Sequence, residues 1–371
     1  MRILCKKIKK LNLTVLYLKI DRGSLSDPIG KEGLAHLTEH MFFHSLINGK
    51  ELSEWLSENS ILFEATTDFN DIKFSFIFEN KKLSVLLNLF SKLKTPNLNN
   101  QLFLREKEII KEEIMTISGN FESNAINNVF KVLLNKEHID DIILGSKKSL
   151  ANIALNDVLN FIKGVNFNYY IFSNLDEQKI RKQFCDMNLV ENKLYSSINE
   201  LVFSERSNNI IKLNLNNKAI AYVLKSIKKD FKEFIKQKIL LNYLVNDESL
   251  LYKKVRKDGL SYNIWGANFF INNDGFLVIY IETSSPELLK KRVISILNYF
   301  KKNKLDKTLF QRAKDKTRVE ILSSFDNLSI FDIYVDFGFL SRENVLDTIS
   351  KTEEFEVQNL YNDNYCFFDI T

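Results

Sequence analysis

Three of the chain's four histidines, His36, His40 and His44, fall in one segment that is free of proline and glycine from Leu34 to Asn48. On a helix, His36 and His40 stand about one turn apart and project from the same face, as two imidazole ligands of one tetrahedral ion must. Glu39 lies beside that face, where its carboxylate reaches a metal-activated water without being a ligand. A chance match to His-x-x-Glu-His is expected in on the order of one such chain in several hundred. The alternative is a pair of surface histidines on a polar helix. Against it, Leu34, Leu37, Met41 and Phe42 surround the motif, which puts the imidazoles at the edge of a core, where they need partners. His44 continues the spacing, but a ligand from the next turn would close the position a hydrolase keeps open, so it is assigned no metal role.

A hydrolytic zinc site has three protein ligands, so a third donor has to come from elsewhere. The segment Arg105 to Ile114 carries Glu106, Ile110 and Glu113 at spacings of four and three. Both carboxylates therefore share a helical stripe with an apolar residue. A carboxylate on such a stripe is costly unless it is paired or coordinated. The other reading of this helix is a solvated acidic face with Lys107 and Lys111 as counter-ions.

The elements that must hold these residues recur. Ile72 to Phe78 alternate as a strand and lead into a helical apolar stripe from Leu83 to Leu93; roughly 205 residues on, Phe276 to Ile281 and Pro286 to Phe300 do the same. Each copy then passes through a short polar link into another helix, through Leu102-Phe103-Leu104-Arg105 or Leu309-Phe310-Gln311-Arg312, a register that sets Glu113-Ile114 over Glu320-Ile321. Chance likeness of amphipathic segments is the other account. The simpler one is a tandem duplication of one α+β domain, an α/β roll with an antiparallel sheet and helices on one face. The metal-bearing domain is expected at 1–195 and its copy at 196–371, joined near the polar, unpatterned stretch Asn192 to Asn199. The copy has no His-x-x-Glu-His near Leu241 to Val245 and is expected to serve architecture, substrate contact and chamber formation.

With 371 residues, 45% of them hydrophobic, the chain is long enough for two cores. Its formal charge is only +5, and carboxylates such as Asp230 and Glu233 interrupt the lysines. That balance gives no sign of a nucleic-acid or membrane partner. Cys5, Cys185 and Cys366 are odd in number and far apart, so neither a disulfide framework nor a thiolate cluster is indicated. With no signal-like start and no apolar run near the ~20 residues of a membrane span, a reducing, cytoplasmic setting is expected.

The motif His36-Leu37-Thr38-Glu39-His40, followed by Glu106 and Glu113, resembles that of the pitrilysin and insulysin family of inverted zinc metallopeptidases, which includes the mitochondrial processing peptidases. The likeness extends to Arg22-Gly23-Ser24, Gly33-Leu34-Ala35-His36 and His40-Met41-Phe42-Phe43, and in the second half to Ser249 through Tyr262. It implies one zinc ion per chain, held by His36, His40 and Glu113. Glu39 is then the general base, Glu106 a carboxylate behind the ligands, and Glu112 the lesser candidate for the third ligand. It further implies that Arg256 and Tyr262 bind the substrate backbone, the phenol donating to the oxyanion. They stand six apart where the family commonly has seven, and the alternative is a surface arginine and a core tyrosine. A peptide is expected to add as an extended strand at a sheet edge near Thr67 to Phe74, touching Glu64, Ala65, Thr67 and Phe69. Glu64 stands where the family usually has asparagine; it either favours a basic residue or free amine in the substrate or faces solvent. The resemblance thus implies a zinc-dependent endopeptidase acting on peptides or a precursor, the alternative being a noncatalytic or weakly active peptide-binding subunit. Family members close a chamber from four such domains and this chain supplies two, so a homodimer, or a heterodimer with a related subunit, is expected.

Overall fold

Strand β6, Ile72–Glu79, shows how the sequence builds its sheets. Phe74, Phe76 and Phe78 are buried, while Lys73, Ser75 and Ile77 between them are partly exposed. Each buried ring contributes about 1.5–3 kcal/mol relative to leaving it in water. The computed structural model describes residues 2–47, 49–92, 97–165, 167–185, 208–213, 217–226, 229–261, 263–272, 274–360 and 365–371. The expected linker at Asn192 to Asn199 lies outside the described residues.

Two units emerge, Met1–Asn120 with Lys136–Glu200, and Phe121–Asn135 with Leu201–Thr371. The first holds a five-stranded sheet of β1 (Ile3–Lys7), β7 (Phe167–Ser173), β2 (Leu13–Ile20), β6 and β5 (Leu62–Thr67), in that spatial order. A small hairpin of β3 (Leu46–Ile47) and β4 (Lys50–Glu51) lies apart from it. The second unit holds β8 (Asn208–Ile211), β12 (Tyr365–Ile370), β9 (Ala219–Ser226), β11 (Asp274–Glu282) and β10 (Ile264–Ile271). Strand for strand this is the same topology, so the duplication inferred from periodicity is visible as a repeated sheet. Each sheet is mixed rather than wholly antiparallel, because β1 pairs parallel with β7 and β8 with β12. The strand that closes each unit returns beside the one that opens it after a long helical excursion, which is what a parallel pair requires.

Helices cover the sheets where their apolar stripes allow. In the first core Leu37, Met41 and Phe42 of helix Leu34–Phe43 lie with Leu16 and Leu18 of β2 and Phe74 of β6. In the second, Ile235 and Ile239 of helix Phe231–Val245 lie with Tyr222 of β9 and Leu277 of β11. Helices are not confined to one face of the second sheet. Helix Phe121–Leu133 sets Phe130 against Phe269 of β10 and Phe276 of β11, whose neighbour Leu277 points into the helix-packed core. That helix groups with the second unit, an arrangement that a division at residue 195 does not anticipate. Cys5 and Cys366 are buried free thiols, and burial pushes the Cys5 thiol up to about 11. No helix of the described residues is long and apolar enough to cross a membrane.

Candidate metal centre

The His-x-x-Glu-His segment forms the helix Leu34–Phe43, and its start is fixed by backbone contacts. Gly33 sits at the helix N-terminus with φ +94°, and a Cβ there would run into the Leu144 carbonyl. Gly145, with φ +77°, approaches the Glu32 carbonyl in the same way. Only glycine combines that conformation with that proximity. Asp27 supplies the missing cap, its two carboxylate oxygens accepting from the Gly33 amide at 2.8 Å and the Ala35 amide at 2.9 Å. A carboxylate at a helix N-terminus is favoured both by those orphan amides and by the helix dipole.

The second contributing element is the helix Asn100–Gly119, opened by Asn99, whose side chain accepts from the Gln101 amide at 2.7 Å. The two helices run in opposite senses, so His36 meets Glu113 while His40 meets Glu106. His36 Nε2 donates to Glu113 Oε2 at 3.2 Å, and His40 Nδ1 donates to Glu106 Oε2 at 2.9 Å. Ligand atoms of His36, His40 and Glu113 all lie within 4.8 Å of one another. Donors about 2.0–2.2 Å from a tetrahedral ion stand roughly 3.3 Å apart. The His36 to Glu113 spacing already matches, and the other pairs lie within 4.8 Å. His36 Nδ1, the ring nitrogen turned away from Glu113, is buried without a hydrogen-bond partner among the described residues and lies 3.7 Å from Glu39 Oε2. Two imidazoles and a carboxylate form a donor set suited to a zinc-class ion, so the residues fit the metal that the motif implies.

Charge follows geometry. The hydrogen bond from His36 holds the Glu113 carboxyl below the usual carboxylate range, against partial burial and with help from nearby His40. Glu106 is only 6% exposed along its side chain, yet both oxygens are engaged, the second by His44 Nε2 at 3.0 Å. The acidic-face reading fails at the lysines. Lys107 is buried and donates to the carbonyls of Ile153 at 2.9 Å and Ala151 at 3.3 Å. Burial, and then neighbouring Lys111, lower its pKa. Lys111 itself pairs with Glu108 at 2.6 Å, and Glu112 is exposed.

Glu39 Oε2 accepts from the Thr67 hydroxyl at 2.6 Å and lies 3.7 Å from His36 Nδ1. Thr67, expected to touch substrate, thus holds the Glu39 carboxylate, a role spacing alone could not reveal. Strand β5 is the sheet edge, whereas Ile72 to Phe74 belong to β6 and are paired on both sides. The edge open to an added strand is therefore Leu62–Thr67. On it Glu64 is exposed and Ala65 half-buried. Phe69 is instead buried at 7% exposure, with its carbonyl accepting from the Leu25 amide at 3.0 Å. In the second unit Arg256 is exposed near the end of helix Leu250–Lys257, its guanidinium 5.1 Å from the centre of the Tyr252 ring. Tyr262 lies outside the described residues. Sequence reasoning passed over Asp27, Glu51 and the partners of His44; the first could have been sought as the acidic residue preceding a helix start.

Residues 3–147 match the insulinase family of M16 peptidases, and residues 152–317 match the domain described as the M16 peptidase inactive domain. The chain belongs to this family. Among its relatives is an uncharacterized zinc protease of Rickettsia bellii, 20% identical over 385 residues, covering 96% of this chain and 90% of that protein. A protease from Helicobacter pylori has the same fold at a TM-score of 0.83 and 16% identity, over 100% of this chain and 96% of that one. So does an M16 inactive-domain protein from Pseudomonas fluorescens, at a TM-score of 0.83 and 17% identity, over 99% and 94%. Within this M16 chain the metal-capable residues lie in the stretch matched to the insulinase part, and the stretch matched to the inactive domain lacks the motif.

Proposed function

We propose that this M16 chain is a zinc-dependent endopeptidase. The observation that carries the reading is the convergence of His36, His40 and Glu113 donor atoms within 4.8 Å, with the Glu39 carboxylate beside them. When bound, zinc supplies Lewis acidity that lowers the pKa of the attacking water and polarises the scissile carbonyl. Glu39 takes the proton of that water and passes it to the leaving amine. Thr67 orients Glu39 for this transfer by donating to one of its oxygens, while Glu106 holds His40 in the tautomer that turns Nε2 to the ion. The peptide lies along the edge of β5, pairing main chain to main chain, which asks little of its side chains. Glu64, exposed on that edge, favours a basic group opposite it. Arg256 and Tyr262 bind the peptide backbone, in a chamber completed by a second copy or a related subunit. Light scattering that shows a monomer fully active at high dilution would remove that last element.

The test of the chemistry is Glu39→Gln. Metal analysis should find wild-type zinc content, and cleavage of a peptide library should fall by about 100- to 10,000-fold, the share a general base supplies. Unchanged turnover in that variant rules out Glu39 as the base.

A further inference from the structure

His44 has no ligand role, yet it sits in a line of four side chains that ends on a candidate ligand. Glu51 Oε2 lies 2.6 Å from His44 Nδ1, His44 Nε2 lies 3.0 Å from Glu106 Oε1, and Glu106 Oε2 accepts from His40 Nδ1 at 2.9 Å. The fold builds this line deliberately close. His44 ends the motif helix, and the hairpin of β3 and β4 then turns the chain back so that Glu51 pairs in register with Leu46. Gly49, with φ +86°, serves that turn, and the Leu52 amide donates to the Ser45 carbonyl at 2.9 Å, closing the loop onto the helix end.

The buried Glu106 carboxylate explains why such a line is useful. With His40 as its one partner, an oxygen would be left unsatisfied and the carboxylate plane would be loosely held, at a cost. His44 engages the second oxygen and so fixes the plane. The direction of the Glu106 acceptor toward His40 Nδ1 is then set, and with it the aim of His40 Nε2. His44 in turn keeps its own orientation because Glu51 grips its other nitrogen. We propose that His44, anchored by Glu51, is a positioning residue for the metal centre, locking Glu106 so that Glu106 locks His40. This rests on the reading of His36, His40 and Glu113 as zinc ligands.

The rival role for the pair is a plain staple between helix end and hairpin, which would affect folding and leave the metal alone. Zinc affinity, measured by competition with a chromophoric chelator, separates the two. His44→Ala should weaken zinc by about 10-fold, as loss of an outer partner does, and should alter the absorption bands of the cobalt-substituted protein. His44→Gln, whose amide can still donate to Glu106, should recover most of the affinity. In a Glu106→Gln background, His44→Ala should cost nothing further, because the effect passes through Glu106. Unchanged affinity in His44→Ala, or an undiminished further loss in the Glu106→Gln background, overturns the proposal. Should His44→Ala not fold, Glu51→Gln loosens His44 alone and should weaken zinc less but in the same direction; wild-type affinity there overturns the proposal equally. Wild-type protein that takes up no zinc at all overturns the metal-centre reading on which this stands.

Discussion

The two units place equivalent helices under equivalent sheets and fill the same spot with different chemistry. In the first, His36 and His40, one turn apart on the helix that follows β2, face Glu113. In the second, Lys238 and Asn242, again one turn apart on the helix that follows β9, face Glu320. Lys238 Nζ is 3.2 Å and Asn242 Nδ2 3.3 Å from Glu320 Oε2, and Asn242 also donates to Thr317 at 3.0 Å. An ammonium and an amide thus satisfy the counterpart of the carboxylate that, in the first unit, pairs with the His36 imidazole. Counted along its helix from Glu320, Ala313 stands where Glu106 would be, and counted from Lys238, Leu241 stands where Glu39 would be. Leu241 packs over Gly266 of β10, whereas Glu39 is held by Thr67 of β5. Both units thus set a carboxylate between these helices with its charge answered, and only in the first are the answering groups of a kind that can also hold an ion.

The sharpest way to break this comparison is to remove each carboxylate in turn. Glu113→Gln should lower zinc affinity by more than the about 100-fold typical of losing an outer partner, because a ligand is gone. Glu320→Gln should leave zinc content at the wild-type level. Its Lys238 partner is 29% exposed and Glu320 is 37% exposed, so the stability lost is at most about 1 kcal/mol. For a unit of this size that is a melting shift of about 2–4 °C at most. Zinc loss from the Glu320 variant, or normal zinc in the Glu113 variant, would exchange the roles assigned to the two sites.

A smaller effect is expected from building the first site into the second. The double variant Lys238→His, Asn242→His sets two imidazoles one turn apart opposite Glu320, so a second zinc equivalent should bind. It should bind about 10- to 100-fold more weakly than the first, because Ala313 offers no carboxylate to orient the new ligand. Zinc titration followed by metal analysis reads both numbers. A stoichiometry that stays at one would mean that the helix pairs are spaced differently despite their common topology.

Why some of this could be read from sequence and some could not follows from the range of each constraint. His36, His40 and Glu39 share one helix, and Glu106 and Glu113 another, so their faces are set by the 3.6-residue turn alone. The repeated sheet was likewise legible, because the alternation of β6 and the continuous apolar run of β11 are local signals. Partners across elements were not. Thr67 holds Glu39 because β5 runs beneath the motif helix, Glu51 reaches His44 because of a hairpin turn, and Phe69 turns inward as the chain leaves β5. An amphipathic stripe says that a helix will be buried without saying against which sheet, which is why Phe121–Leu133 joins the second unit unannounced. The likeness of Lys238, Asn242 and Glu320 to the metal triad is invisible to a search for metal ligands, since only the geometry is kept.

The smallest effect concerns the spot beside the carboxylates. A Cβ on Gly266 would collide with Leu241 Cδ2, and would lie 3.2 Å from the Val278 carbonyl and 3.4 Å from Val245 Cγ2. The bare strand therefore lets the helix Phe231–Val245 settle onto β10. Gly266→Ala should destabilise the second unit, and since the atom first struck is the flexible end of a leucine, the cost should sit near the low end of the about 1–3 kcal/mol seen for overpacking. Leu241→Ala removes the obstructing atom at its own cost in lost packing. If Leu241 and Gly266 are complementary, the double variant must be more stable than the sum of the two single losses predicts, with thermal unfolding as the measure and zinc content unchanged throughout. Strict additivity would separate Leu241 from Gly266. The apolar plug of the second unit would then no longer be the counterpart of Glu39 and Thr67 in the first.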